Sequence, residues 1–286
     1  MSSVASSGGC SRWEWEASAD LVVVGTGVAG LTAALDAAEL GLRVIVITKD
    51  VAGAGCTPLA QGGVAVVLGD IPGDSVEAHV GDTLAAGGGL NDSTAVASII
   101  AAGPAAVTRL RARGAVFDPG SGAAGPARLA RTREGGHRAL RVIHAGGDGT
   151  GAELERALLA ATADRRLPLL TGHVGMDALR DDAGAVVGLT VLDDDGRAGV
   201  LRAPAVLLAT GGYRQVFGNT TTAATATPGM VLRSPCVPGR PPPTSSSSSS
   251  IQPRCTCRMR RAGARSSPRP SAVRGPCCAT APACRS

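Results

Sequence analysis

Leu21-Val22-Val23-Val24-Gly25-Thr26-Gly27-Val28-Ala29-Gly30 is the stretch on which the fold turns. A run of four apolar residues, mostly β-branched, reads as a strand buried on both faces, the habit of a parallel sheet. The chain then enters a G-x-G-x-x-G. Beyond it Leu31, Ala34, Leu35 and Ala38 form the apolar stripe of a helix that Gly41 ends. A second run, Arg43-Val44-Ile45-Val46-Ile47, completes a strand–turn–helix–strand unit. In that setting Gly25 allows the tight turn, Gly27 lets backbone N–H groups approach a pyrophosphate at the helix N-terminus, and Gly30 permits close helix packing. Thr26, Val28 and Ala29 complete the loop, which reads as a dinucleotide site in a Rossmann-like α/β domain.

The end of the second strand departs from the plain NAD pattern. The acid that would hold ribose hydroxyls is replaced by Thr48-Lys49, with Asp50 following. Lys49 presents an ammonium group to phosphate or ribose; Asp50 is either a contact or an exposed turn residue. Next comes Cys56-Thr57-Pro58-Leu59-Ala60-Gln61-Gly62-Gly63. Loop glycines beside an amide side chain suit a flavin, whose N5 and carbonyl edge accept and donate hydrogen bonds.

Here the sequence resembles the flavoproteins of the succinate dehydrogenase, fumarate reductase and L-aspartate oxidase family, in which an A-Q-G-G loop follows the second strand. Further matches are His79-Val80-Gly81-Asp82-Thr83-Leu84, Arg133-Glu134-Gly135-Gly136-His137, Arg141-Val142-Ile143-His144-Ala145, Asp148-Gly149-Thr150-Gly151 and Thr210-Gly211-Gly212. The resemblance covers about residues 20–222. It implies FAD held by Gly25 to Gly30, Lys49, Cys56, Thr57, Ala60 to Gly63, Val174, Gly175 and Thr210 to Gly212. The covalent-flavin members carry histidine before the loop threonine, where this chain has Cys56, so the implied FAD is non-covalent. The glutamate of R-E-G-G-H belongs to the aspartate-oxidising branch, and makes Glu134 the substrate residue: a carboxylate there pairs with the α-ammonium that L-aspartate has and succinate lacks. The implied reaction is oxidation of L-aspartate to iminoaspartate, with dioxygen or fumarate reoxidising the flavin. A fumarate reductase-type flavoprotein and a non-catalytic FAD-binding fragment are the alternatives.

Between Val174 and Leu192 the sequence alternates as antiparallel strands, with turns at Asp181-Asp182-Ala183-Gly184 and Asp193-Asp194-Asp195-Gly196. Ala203 to Ala209 returns as a buried strand. Arg109, Arg111 and Arg113 read as a solvated helix face, and His79, His137, His144 and His173 as structural. The fold class expected is therefore α/β: the N-terminal part of a Rossmann-like FAD-binding domain with an antiparallel β insertion.

Composition divides the chain. The formal net charge is +5 over 286 residues, yet residues 229–286 hold ten arginines and no acid, leaving −5 for residues 1–228. The total therefore does not argue for a nucleic-acid partner. Six of the eight cysteines also lie beyond residue 229, so the body suits a reducing, cytoplasmic setting. Neither Cys255-Thr256-Cys257 nor Cys277-Cys278 has zinc-site spacing, and no metal is expected. Residues 1–19, with Trp13-Glu14-Trp15-Glu16, lack the pattern of a signal peptide and read as a loose arm. The richest apolar stretch, Leu21 to Leu31, is too short to span a membrane. Residues 223–286, with Pro241-Pro242-Pro243 and Ser245 to Ser250, have neither a helical nor a strand period and read as a disordered basic tail. That tail is either a natural extension or a shifted reading frame. The family's catalytic arginine has no counterpart in it, so the chain is expected to be inactive alone.

Overall fold

The computed structural model describes residues 13–120 and 128–212. The expected tail, residues 223–286, lies outside the described residues, as do its six cysteines and residues 1–12. In chain order the elements are β1 (Trp15–Ser18), β2 (Leu21–Val24), α1 (Val28–Glu39), β3 (Val44–Ile47), β4 (Val64–Ala65), α2 (Val76–Ala86), α3 (Ser93–Ala112) and β5 (Val142–Ile143). Then come α4 (Thr150–Asp164), β6 (Leu169–Leu170), β7 (Val174–Arg180), β8 (Val186–Leu192), β9 (Ala198–Arg202) and β10 (Val206–Leu208).

The strand read first lies inside a parallel sheet of order β10-β2-β3-β6. Its neighbours are in register at Val206↔Val22 and Leu21↔Val44. Strand alternation divides its side chains between two cores. Val23, Val44 and Val46 pack with Ala34 and Ala37 of α1. Val22, Val24, Ile45 and Ile47 face the other way and pack with Leu189, Val191 and Leu201. Those last three belong to a second sheet of order β1-β9-β8-β7. The result is three layers: helices, parallel sheet, antiparallel insertion. Leu31 and Leu35 of α1 meet Leu158 of α4 on the outer side, all three fully buried. Each such leucine contributes about 1.5–3 kcal/mol through burial. The helical stripe is buried at Leu31, Ala34 and Leu35 as read, but its fourth buried position is Ala37, and Ala38 is only partly covered.

Two close approaches explain the first loop. Gly25 has φ +115°, and a methyl group on it would overlap the Ala209 carbonyl. One on Gly30 would overlap the Gly25 carbonyl, so the turn and the first helical turn lie in direct backbone contact. The loop closes because Gly25 N–H donates to Ile47 O (2.8 Å) and Ala209 N–H to Val24 O (2.8 Å).

A further core joins α3, α4 and the short β4–β5 pair through Val107, Phe117, Ile143 and Leu154. The α2 helix is capped by Ser75, whose hydroxyl accepts from Ala78 N–H at 3.1 Å, and α3 by Asp92, which accepts from Ala95 N–H at 2.9 Å. The antiparallel insertion forms where the alternation placed it, with β7 paired to β8 and β8 to β9 across the two acidic turns.

Three expectations are corrected. The loose arm does not extend to residue 19, because Trp15–Ser18 pairs in parallel with Gly199–Arg202. Trp15 covers Gly199 and meets the His173 ring edge-on at 5.6 Å, while Glu16 pairs with Arg202. The alternation runs through Trp15-Glu16-Ala17-Ser18, with Trp15 and Ala17 packed on the core and Glu16 on the other face. Arg113 does not share the exposure of Arg109 and Arg111: its side chain is 6% exposed and bridges Asp36 and Glu39 of α1. Finally, α3 is a longer apolar stretch than Leu21 to Leu31. It has 20 residues, and an 18-residue window of it has a mean hydropathy of 1.2, enough by length and composition to cross a membrane. Its last turn carries Arg109 and Arg111, and Val107 holds it to the core shared with α4.

Candidate flavin site

Above the N-terminus of α1 lies a cavity of about 350 Å³, within the range of small-molecule sites. The first loop forms its floor from Gly25 to Ala29. Thr48, Lys49 and Asp50 come from the end of β3, Ala54 to Thr57 from the following loop, and Leu208 to Gly212 from the end of β10. Three segments far apart in sequence thus converge because β2, β3 and β10 are adjacent parallel strands whose C-terminal ends share one edge.

Gly27, at the N-cap of α1, supplies no capping side chain. The Val28 N–H instead donates to Thr57 Oγ1 at 3.0 Å, bringing the second loop onto the first. Thr26 is buried, and its hydroxyl accepts from Gly53 N–H at 3.4 Å. Burial lowers the Lys49 pKa, and Asp50 beside it opposes that shift. A helix N-terminus, backbone-lined glycines and an ammonium group fit the pyrophosphate side of a dinucleotide.

Of the sequence-predicted cofactor residues, Gly25, Thr26, Gly27, Val28, Ala29, Lys49, Cys56, Thr57, Thr210, Gly211 and Gly212 line this cavity. Gly30 lies behind it, against the Gly25 carbonyl. Val174 and Gly175 open β7 just after His173, whose N–H donates to Thr48 O at 2.9 Å. Ala60, Gln61, Gly62 and Gly63 are not in the cavity wall. Gln61 and Gly62 are exposed, and Gly63 abuts the Ile143 carbonyl and the His144 ring. Thr48, Ala54, Gly55 and Leu208 join the wall with no residue-type signal of their own.

Glu134 lies on the far side of His144. The Thr132 hydroxyl is 3.3 Å from Glu134 Oε1 and 2.7 Å from His144 Nε2, and His144 stands 3.7 Å from the same carboxylate oxygen. Donation from Thr132 to Glu134 and from His144 Nε2–H to Thr132 satisfies all three groups. Strand pairing builds this arrangement: Val64 opposes Ile143, Ala65 opposes Val142, and Val142 bridges to Thr132 on its other side. The A-Q-G-G loop and the R-E-G-G-H loop are therefore held to one short strand.

Beneath them lies an ionic cluster that sequence reading missed. Arg141 is fully buried, with Nη2 2.7 Å from Asp74 Oδ1 and Nη1 2.7 Å from Asp82 Oδ2. Asp82 also accepts from Arg138, through its backbone N–H at 3.0 Å and its guanidinium. The Arg138 backbone and side-chain bonds hold the Asp82 pKa far below the usual carboxylate range. His137 Nδ1 is 3.2 Å from Arg141 Nη1, so it accepts and leaves Nε2 as the N–H. His79 is buried edge-on to His137 at 5.2 Å, and burial, then Arg141, lowers its pKa. The H-x-x-D and R-E-G-G-H matches thus meet in space: Asp82 is the anchor of the Glu134 loop.

Residues 20–238 match the family described as FAD binding domain. The chain belongs to this family. The match extends past residue 222, where the family resemblance had ended. As an FAD binding domain its cofactor is FAD, and the glycine loop, helix N-terminus and Lys49 fit that group. Among similar proteins, the L-aspartate oxidase of Streptomyces coelicolor is 48% identical over 218 residues, covering 74% of this chain and 36% of that protein. The L-aspartate oxidase of Mycobacterium bovis is 50% identical over 214 residues, covering 74% and 39%. The chain spans less than two fifths of these curated relatives. Among solved structures, the Mycobacterium smegmatis Sdh1 complex with UQ1 has a TM-score of 0.68 at 31% identity, covering 74% of this chain and 37% of that one. A quinol–fumarate reductase with menaquinol molecules has a TM-score of 0.66 at 31% identity, covering 74% and 36%. The α/β FAD-binding fold with its antiparallel insertion is shared with these flavoproteins.

Proposed function

We propose that this chain carries the FAD-binding part of an enzyme that oxidises L-aspartate to iminoaspartate, the first step of de novo NAD synthesis. The observation that carries the reading is the place of Glu134, a half-exposed carboxylate linked through Thr132 to His144, whose ring abuts Gly63 of the A-Q-G-G loop. A carboxylate there pairs with the substrate's α-ammonium. Identities of 48% and 50% to L-aspartate oxidases support the same substrate.

Bound FAD would supply the two-electron redox chemistry, with dioxygen or fumarate as the electron acceptor. The chain's own residues bind and orient. Gly25 to Gly30 and Lys49 hold the pyrophosphate side without a covalent link, with Cys56 and Thr57 beside it. Gln61, Gly62 and Gly63 serve the flavin ring edge, Ala60 sets their loop, and Val174, Gly175 and Thr210 to Gly212 close the dinucleotide. Glu134 selects the amino acid over the plain dicarboxylate.

The test uses the purified chain loaded with FAD and follows the flavin absorption spectrum. L-Aspartate is expected to perturb it, and Glu134→Gln to abolish that response while leaving a response to fumarate. A variant that still responds to L-aspartate overturns the assignment of Glu134. A chain that responds to fumarate and never to L-aspartate supports the second reading, a fumarate reductase-type flavoprotein, such an enzyme being 31% identical to this chain.

A further inference from the structure

Glu155 is a carboxyl that none of the motifs explains. It lies on α4 one turn beyond Gly151, whose Cα packs onto the Thr57 and Ala60 carbonyls. Only 4% of the residue's surface is exposed, and among the described residues neither Oε1 nor Oε2 has a hydrogen-bond partner. It sits under the loop that walls the flavin cavity: a methyl group on Gly53 would stand 3.5 Å from its Cγ and Oε1. The Thr57 hydroxyl is the polar group beside it, near enough to act on the carboxyl yet short of a well-formed hydrogen bond. That hydroxyl accepts the Val28 N–H at 3.0 Å, which leaves its own proton available on the Glu155 side.

We propose that Glu155 is a positioning residue of the flavin site, supporting Thr57 from beneath the loop, and that FAD binds to the form of the chain in which this carboxyl is protonated. The proposal rests on membership of the FAD binding domain family. The reasoning is electrostatic. Val28 opens the helix whose N-terminus seats the pyrophosphate, and Thr57 stands between that residue and Glu155. An ionised Glu155 would place a like charge behind the phosphates, in a dry region where repulsion is poorly screened. The protonated carboxyl has no such conflict. Burial already pushes Glu155 up to about 7, so the two forms exchange near neutral pH.

Other charged groups are tied elsewhere. On α4, Glu153 bonds Arg156 and the Val116 N–H. On α1, Asp36 and Glu39 pair with Arg113, the residue that follows α3. The loop itself brings Lys49, Asp50 and Cys56, of which Lys49 and Asp50 act on each other. None of these hydrogen-bonds the Glu155 oxygens.

By reciprocity, a ligand that prefers the protonated form draws a proton into the protein as it binds. The test is calorimetric titration of FAD into the full chain near pH 7, in two buffers of different ionisation enthalpy. Uptake of a substantial fraction of one proton is expected, with FAD affinity falling about tenfold between about pH 6 and about pH 8.5. Glu155→Gln should bind without proton uptake and with affinity independent of pH; Glu155→Leu gives the same comparison if the glutamine variant does not fold. Uptake that persists in the variants, or wild-type binding without uptake, overturns the proposal. Wild-type chain that binds no FAD at any pH overturns it together with the cofactor assignment, whereas pH-independent binding overturns it alone.

Discussion

The Val28 N–H and the Thr57 hydroxyl meet at 3.0 Å across 29 positions of sequence. This bond joins the two loops of the flavin site at the first turn of α1. It also uses an N–H that a helix N-terminus otherwise leaves without an intrahelical partner. Thr57→Val keeps the shape and removes the acceptor. The expected result is FAD binding about five- to tenfold weaker, corresponding to roughly 1 kcal/mol, with little change in melting temperature. Quenching of FAD fluorescence on titration measures it; an affinity within about twofold of wild type would show that this bond does not set the loop.

Gly30→Ala tests the backbone contact behind the loop. The added methyl meets the Gly25 carbonyl rather than a side chain that can swing away. Overpacking of this kind costs about 1–3 kcal/mol, or a melting temperature lower by roughly 5 °C. Because Gly25 moves with it, FAD affinity should fall in the same variant. Thermal denaturation followed by circular dichroism, with and without FAD, reads both effects, and an unchanged melting curve would contradict the contact.

The glycine loop and its flanking strands were legible because their signals are local. Leu21 to Val24 and Val44 to Ile47 are apolar throughout, and the spacing Gly25, Gly27, Gly30 specifies a turn into a helix within a few residues. The acidic hairpin turns were legible for the same reason. What the sequence hid depends on distant partners. Trp15–Ser18 becomes a strand only because Gly199–Arg202 offers an edge. Arg113 is drawn out of solvent by Asp36 and Glu39, and Arg141 by Asp74 and Asp82. Glu155 has no hydrogen-bond partner among the described residues to suggest it, and helical spacing alone gives no sign that its face of α4 lies under a loop.

Arg141→Ala should be the most damaging change near the Glu134 loop. It leaves the Asp74 side chain, 2% exposed, without its cation, and the Asp82 side chain, 3% exposed, with Arg138 alone. Breaking a buried ion network at its centre costs about 3–5 kcal/mol. Urea denaturation should show a midpoint shift of that size with an unchanged slope. A loss below about 1 kcal/mol would show that water reaches the cluster and replaces the arginine.

Glu155→Gln should change how stability depends on pH, and the sign follows from the direction of the shift. The folded-state carboxyl titrates at about 7, above its ordinary 4.5. Below about pH 4.5 the group is protonated in both states and costs nothing. As pH rises from there toward 7, the unfolded chain has released its proton while the folded chain retains it, so stability falls by about 1.4 kcal/mol per pH unit. The decline is complete once pH passes the folded-state value, for a total of about 3 kcal/mol. Glutamine keeps the shape of the neutral acid and carries no charge to release, so its curve should lack this decline. The difference between variant and wild type should therefore be small near pH 4.5 and largest above pH 7, as read from urea midpoints across that range. A constant offset between the two curves would show that Glu155 is already ionised when buried, and would remove the basis for its coupling to FAD.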